Sequence, residues 1–157
     1  MAEIIKNHNK LKEVIEKHKR EGKKIIFGNG CFDILHVGHI RYIKSAKALG
    51  DILVIAINSD KSLEKIKKRK PIISEDERLE ILSAIKYIDY LTLFDEERVD
   101  KLILLLKPHI HAKGTDYTME NVPERNTVLS YGGKIAIVGD LKTHSSSDLI
   151  KKIKQLT

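Results

Sequence analysis

The chain has 157 residues, 41% of them apolar, and a formal charge of +7 at pH 7. That size suits one domain, residues 1–157, able to bury roughly 68–70% of its unfolded surface. The longest apolar stretch, Ile52 to Ile57, is far short of the ~18–20 residues of a membrane helix, the opening MAEIIKNHNK has no secretory apolar core, and the only cysteine, Cys31, allows no intrachain disulfide, so a soluble cytoplasmic protein is expected.

In chain order, residues 3–20 set Ile4, Leu11, Val14 and Ile15 among charges, an imperfect 3.6-residue period that predicts an amphipathic helix ending near Gly22. This extension, residues 1–22, is expected on the outside of the domain. A strand over about 24–29 runs into Gly28-Asn-Gly-Cys-Phe-Asp-Ile-Leu-His-Val-Gly-His39, and residues 38–49 then place Ile40, Ile43, Ala46, Ala48 and Leu49 in helical register, closed by Gly50. Ile52–Asn58 is apolar almost throughout, as a parallel strand covered on both faces should be.

Lys61 to Lys70 then holds six basic residues against Glu64 alone, +5 of the total, and is predicted as a basic loop suited to a polyphosphate or to nucleic acid. Its bland reading is a solvated charged loop. Ser74 and Glu77 form a capping box that opens a helix to about Lys86. Tyr90–Phe94 reads as a strand, Glu96–Leu106 as a helix stopped by Pro108, and His109–Ala112 as a short strand in which both histidines are structural. Residues 119–131 look helical up to Gly132-Gly133, Lys134–Val138 is a fifth strand, and Thr143 to Ser147 caps a last helix through Leu156.

Five strands alternating with helices predict an α/β fold: an open parallel five-stranded sheet with helices on both faces and right-handed crossovers. Ligands of such sheets sit outside the carboxyl ends of the strands, near the point where strand order reverses. That rule sends the histidine turn, Asn58 to Asp60, Lys113 to Tyr117 and the Ser145 cluster to one rim. Glycines 28, 30 and 38 let backbone approach a ligand there, and the N–H groups that open the next helix favour an anion. Taken alone, His36 and His39 are open to metal ligation with Cys31, to phosphate binding or to base catalysis. The serines at 145–147 are either an ordinary N-cap or a phosphate site.

His36-Val-Gly-His39, directly after the first strand, resembles the H-x-G-H signature of the cytidylyltransferase-like nucleotidyltransferase superfamily. Gly30-Cys-Phe-Asp-Ile-Leu-His36, Leu49-Gly-Asp51, Ala56-Ile-Asn-Ser-Asp60, Lys113-Gly-Thr-Asp-Tyr117 and Tyr131-Gly-Gly133 narrow the likeness to the adenylyltransferase module of bacterial ADP-heptose synthesis. The resemblance implies a Rossmann-like sheet and transfer of AMP from ATP to D-glycero-β-D-manno-heptose 1-phosphate, a step toward the lipopolysaccharide core. It also implies Mg²⁺ or another divalent cation bound with ATP, no protein ligand being assigned to it, and a homodimer. The family module occurs fused to a sugar kinase or free, and this length leaves no room for a kinase.

By the same resemblance His36 and His39 are the catalytic pair. Gly30, Cys31, Phe32, Gly38, Lys113, Gly114, Ser145, Ser146 and Ser147 are expected to bind nucleotide. Asp33, Asn58, Asp60, Lys67, Lys68, Arg78, Asp116, Tyr117 and Arg125 are further candidates for substrate or phosphate, with Asp33 equally able to anchor the turn, Arg78 to serve structure and Arg125 to form a surface salt bridge. Relatives usually place a small residue and an aromatic or apolar one before the serine motif, whereas Thr143-His144 stands here. A sugar 1-phosphate is already anionic at neutral pH, so transfer should need alignment and charge neutralisation rather than a strong base.

Glycerol-3-phosphate cytidylyltransferase and FMN adenylyltransferase share the first motif and are the alternative enzymes. A nucleic-acid-binding module is the reading from another class. It is disfavoured because the charge lies in one segment with no aromatic-rich strand or recognition helix, so neither stable nucleic-acid nor membrane binding is expected.

Overall fold

A computed structural model describes residues 1–141 and 145–157. Along the chain run β1 (Glu3–Ile4), α1 (His8–Arg20), β2 (Ile25–Gly30), α2 (Val37–Lys47), β3 (Ile52–Asn58), α3 (Asp60–Lys67) and α4 (Glu75–Ser83). They are followed by β4 (Tyr90–Phe94), α5 (Asp100–Leu106), β5 (Ile110–Lys113), α6 (Arg125–Ser130), β6 (Lys134–Ile137) and α7 (Ser146–Leu156). The strands form one six-stranded sheet in the order β1-β4-β3-β2-β5-β6, and every pairing is parallel. From β2 the chain builds outward through β3 and β4, then returns to the other side of β2 for β5 and β6. The crevice outside the ends of β2 and β5 is therefore the switch point at which open α/β sheets bind ligands.

Alternation along the strands feeds two cores. Phe27, Val54 and Ala56 pack with Leu11 and Ile15 of α1, Leu102, Ile103 and Leu106 of α5, and Val128 of α6. Ile26, Leu53, Ile55 and Ile57 face the other way, onto Ile43 and Ala46 of α2 and Leu79 and Leu82 of α4. β3 is buried on both faces, which explains its unbroken apolar run.

The sheet is the Rossmann-like one expected, with a strand more. β1 pairs Glu3 and Ile4 with Tyr90 and Leu91, and two residues are too few for any period to show. Ile4 therefore belongs to that strand, and the amphipathic helix begins at His8 with Asn7 as its cap. The basic segment is not a loop throughout. Ser59 caps α3 by accepting from the Ser62 N–H, Leu63 is buried, and Lys68 ends the helix in the left-handed region at φ 58°. α4 stops at Ser83, short of the expected Lys86, and α5 starts at Asp100 rather than Glu96. The stretch expected to be helical over 119–131 is helix only from Arg125, since Pro123 and two turns occupy its first half. Ser145 caps α7 as expected, while Thr143 and His144 lie outside the described residues.

Candidate active site

The turn from β2 to α2 is held by close contacts. A Cβ on Gly28 would collide with the Tyr42 hydroxyl, which donates to Ala112 O (2.6 Å) and so ties α2 to β5 across the switch point. Two residues on, a Cβ on Gly30 would sit 2.9 Å from the Phe32 ring. Phe32 has φ 50°, a left-handed conformation that costs a non-glycine on the order of 1 kcal/mol or more. That conformation sets its ring 4.9 Å from the imidazole of His39.

His36 and His39 form a reciprocal cap at the start of α2. The Gly38 N–H donates to His36 Nδ1 (3.1 Å) and the His36 N–H donates to His39 Nδ1 (3.2 Å). Their rings stack with centroids 3.8 Å apart at 25°. Because each Nδ1 accepts from backbone, each neutral imidazole must carry its proton on Nε2. Both residues line a pocket of about 470 Å³ at the switch point.

Asp33 clasps the basic segment to this turn. Its carboxylate, 3% exposed, accepts from Arg69 (2.6 Å) and from the backbone N–H of Ile72 and Ile73 (2.9 and 3.0 Å). Burial pushes its carboxyl up, but the bonds from Ile73, Arg69 and Ile72 outweigh burial and hold it below the ordinary carboxylate range. Cys31 donates weakly to Asn58 Oδ1 (3.5 Å), and burial pushes its thiol up, away from the reactive thiolate. Asn58 in turn donates to Ser62 of α3 (2.9 Å).

Across the pocket, Lys113 ends β5 with its ammonium 4.6 Å from the Tyr117 ring centroid and 3.6 Å from Glu124 Oε1. Behind Glu124 stands His111, buried and stacked on Phe27, its Nε2 3.7 Å from the other carboxylate oxygen. Burial pushes Glu124 up, yet His111 and Lys113 hold it at about 2. Burial lowers both Lys113 and His111, against the pull of Glu124. The third wall is the start of α7, where Ser145 Oγ accepts from the Asp148 N–H (3.0 Å) and Ser146 Oγ donates to Ile34 O (3.0 Å). The pocket thus meets a helix N-terminus tied to the histidine turn across 112 residues.

Of the residues expected from sequence, Gly30, Cys31, Phe32, Asp33, His36, Gly38, His39, Asn58, Lys67, Lys113, Gly114, Asp116, Tyr117 and Ser145 to Ser147 all line this pocket. Asp60, Lys68, Arg78 and Arg125 do not. Arg78 is 1% exposed and commits its fork to structure, donating to Cys31 O, Asn58 O, Ile73 O and Asp60. Asp60 is its partner behind the wall, Lys68 is the exposed end of α3, and Arg125 is exposed on α6.

Arg69, Tyr42, Asn29 and Glu124, which no sequence motif marks as site residues, also line the pocket. Arg69 stood within the basic run and could have been found there. Glu124 carries no spacing that links it to Lys113. Among the described residues, no group of three His, Cys, Asp or Glu side chains is placed to hold a metal ion, and no helix is long and apolar enough to cross a membrane.

A sequence model of the cytidylyltransferase-like family matches residues 27–152. The bifunctional protein HldE of Pelobacter propionicus is 46% identical over 150 residues, and that of Geobacter metallireducens 47%; each match covers 95% of this chain and 31% of the relative. The chain thus spans about a third of the length of these curated relatives. Among solved structures it is similar to a lipopolysaccharide core biosynthesis protein from Thermoplasma volcanium, with TM-score 0.67 and 32% identity over 77% of this chain and 100% of that one. It also shares its fold with pantoate-β-alanine ligase from Francisella tularensis, with TM-score 0.62 and 16% identity over 98% of this chain and 77% of that one.

Proposed function

The chain belongs to the cytidylyltransferase-like family of nucleotidyltransferases, and we propose that it transfers AMP from ATP to D-glycero-β-D-manno-heptose 1-phosphate, giving ADP-heptose and pyrophosphate. A phosphate oxygen of the sugar 1-phosphate attacks the α-phosphorus in line. The bond from that phosphorus to the bridging oxygen of the β-phosphate breaks, and pyrophosphate leaves with the electron pair. The attacking oxygen is already anionic, so no proton has to be removed from it.

The reciprocal imidazole cap carries this reading. It fixes Nε2–H donors on His36 and His39 before substrate arrives, and fixed donors stabilise charge that grows in the transition state. Around them, Ser145 to Ser147 and the N-terminus of α7 are suited to the β and γ phosphates, and Lys67 and Arg69 to the departing pyrophosphate. Lys113, grouped with the nucleotide contacts by sequence, is suited instead to the acceptor's phosphate, since the serine cluster and the basic segment already serve the triphosphate. Mg²⁺ or another divalent cation bound with ATP would neutralise charge on the triphosphate, and no protein ligand is assigned to it.

Residues 1–157 act as one nucleotidyltransferase domain, and the reading places it in the cytoplasm, where nucleotide and sugar phosphate meet. A homodimer is supported by α7, none of whose described side chains is buried although Ile153 and Leu156 lie on it. Light scattering should return twice the chain mass. A screen of nucleoside triphosphates against phosphorylated acceptors, read as pyrophosphate release, tests the substrates. ATP with heptose 1-phosphate should give the highest kcat/KM, whereas preference for CTP with glycerol 3-phosphate would assign the chain to the cytidylyltransferases.

A further inference from the structure

We propose that Glu124 is the positioning residue for Lys113, its carboxylate keeping the Lys113 ammonium charged and in place at the pocket wall where the acceptor's phosphate binds. The proposal rests on the adenylyltransferase reading for the identity of that phosphate. Its geometry does not depend on it. Lys113 is 6% exposed and Glu124 4%, yet both line the pocket. An ammonium so enclosed loses most of its hydration and turns neutral at lower pH unless a partner offsets the loss. Glu124 is that partner at 3.6 Å, and the Tyr117 ring adds a second favourable face at 4.6 Å.

The other groups around the pair leave Glu124 as its main counter-charge. His111, beside Lys113 on β5, is buried, burial pushes its imidazole down from the ordinary histidine range, and it meets the far oxygen of Glu124 rather than the ammonium. Asp100 of α5 acts on Lys113 only through space, and the Tyr42 hydroxyl of α2 stays protonated near Glu124. Glu124 comes from the segment between β5 and α6, which is closed by the Tyr117 N–H on Gly114 O and by Arg98 on Pro123 O. The loop therefore returns to bring a carboxylate beneath a lysine it follows by 11 positions. A buried ion pair adds little stability over an apolar pair of the same shape, so packing alone gives no reason for charges here.

The test titrates Lys113 by the ¹³Cε NMR signal of labelled lysine, identified by its loss in Lys113→Arg. In Glu124→Gln the midpoint should fall by about one pH unit or more, and Glu124→Asp should recover part of the shift. The alkaline limb of kcat/KM for heptose 1-phosphate should move by the same interval while KM for ATP changes little. An unmoved midpoint, or a uniform loss of rate with an unmoved limb, would overturn the proposal and leave Glu124 as a loop anchor. If circular dichroism shows the Gln variant unfolded, Glu124→Asp carries the test, since a longer separation must also lower the midpoint. A midpoint that moves in Glu124→Gln, with no pyrophosphate released by the wild type from ATP and heptose 1-phosphate, would refute the substrate reading and retain the ion-pair assignment.

Discussion

The tautomer of two imidazoles is the smallest feature on which the chemistry depends. With each Nδ1 accepting a backbone N–H, His36 and His39 are donors through Nε2. Replacing either by Ala should lower kcat by on the order of 10² or more with a smaller change in KM for ATP, as expected when transition-state contacts are lost. Steady-state kinetics with saturating acceptor checks it, and a rise in KM alone would mean that the rings only bind. Gly28→Ala acts by packing instead. The new methyl displaces the Tyr42 hydroxyl from Ala112, so denaturant unfolding should show a loss of about 1–3 kcal/mol. At this scale the histidines were legible because their spacing falls at a strand-to-helix turn. Arg78 was half legible: its capped helix was evident, but not the carbonyls of Cys31, Asn58 and Ile73 that occupy it.

Among elements, the link that matters is between the turn after β2 and the segment after α3. Asp33 makes it, and Asp33→Asn exchanges two charge-assisted bonds for weaker ones while releasing Arg69. KM for ATP should rise about tenfold with kcat less affected, since the basic segment would no longer be held at the pocket. The β5–α6 loop predicts a dependence of stability on acid. Glu124 titrates at about 2 in the fold against an ordinary 4.5, because His111 and Lys113 outweigh its burial. Between those values the unfolded chain binds the proton first, so this contribution is complete above about 4.5 and disappears as pH falls toward 2. Urea midpoints measured from pH 5 to 2 should therefore fall less steeply in Glu124→Gln than in wild type. The central strands β3 and β4, apolar almost throughout and bounded by polar residues, were readable to the residue. α3 was not, because Leu63 and Ile66 are its only apolar positions among charges and only Leu63 is buried. Neither was β1, whose pairing with β4 is set across 87 residues of chain.

For the whole molecule, the reversal of strand order around β2 explains why residues from 29 to 147 share one pocket. The sequence carried enough to place that rim, because glycine turns, caps and apolar runs mark the strand ends. Which groups on the rim face each other is a matter of loop path, and the Lys113–Glu124 pair shows how little of that path spacing records. The central claim is that a sugar phosphate oxygen attacks the α-phosphorus of ATP. Heptose 1-phosphate labelled with ¹⁸O on its non-bridging phosphate oxygens tests it most directly, with products resolved by mass spectrometry. All of the label should appear in ADP-heptose and none in pyrophosphate. Label in pyrophosphate, or no ADP-heptose from the pair, would contradict the account.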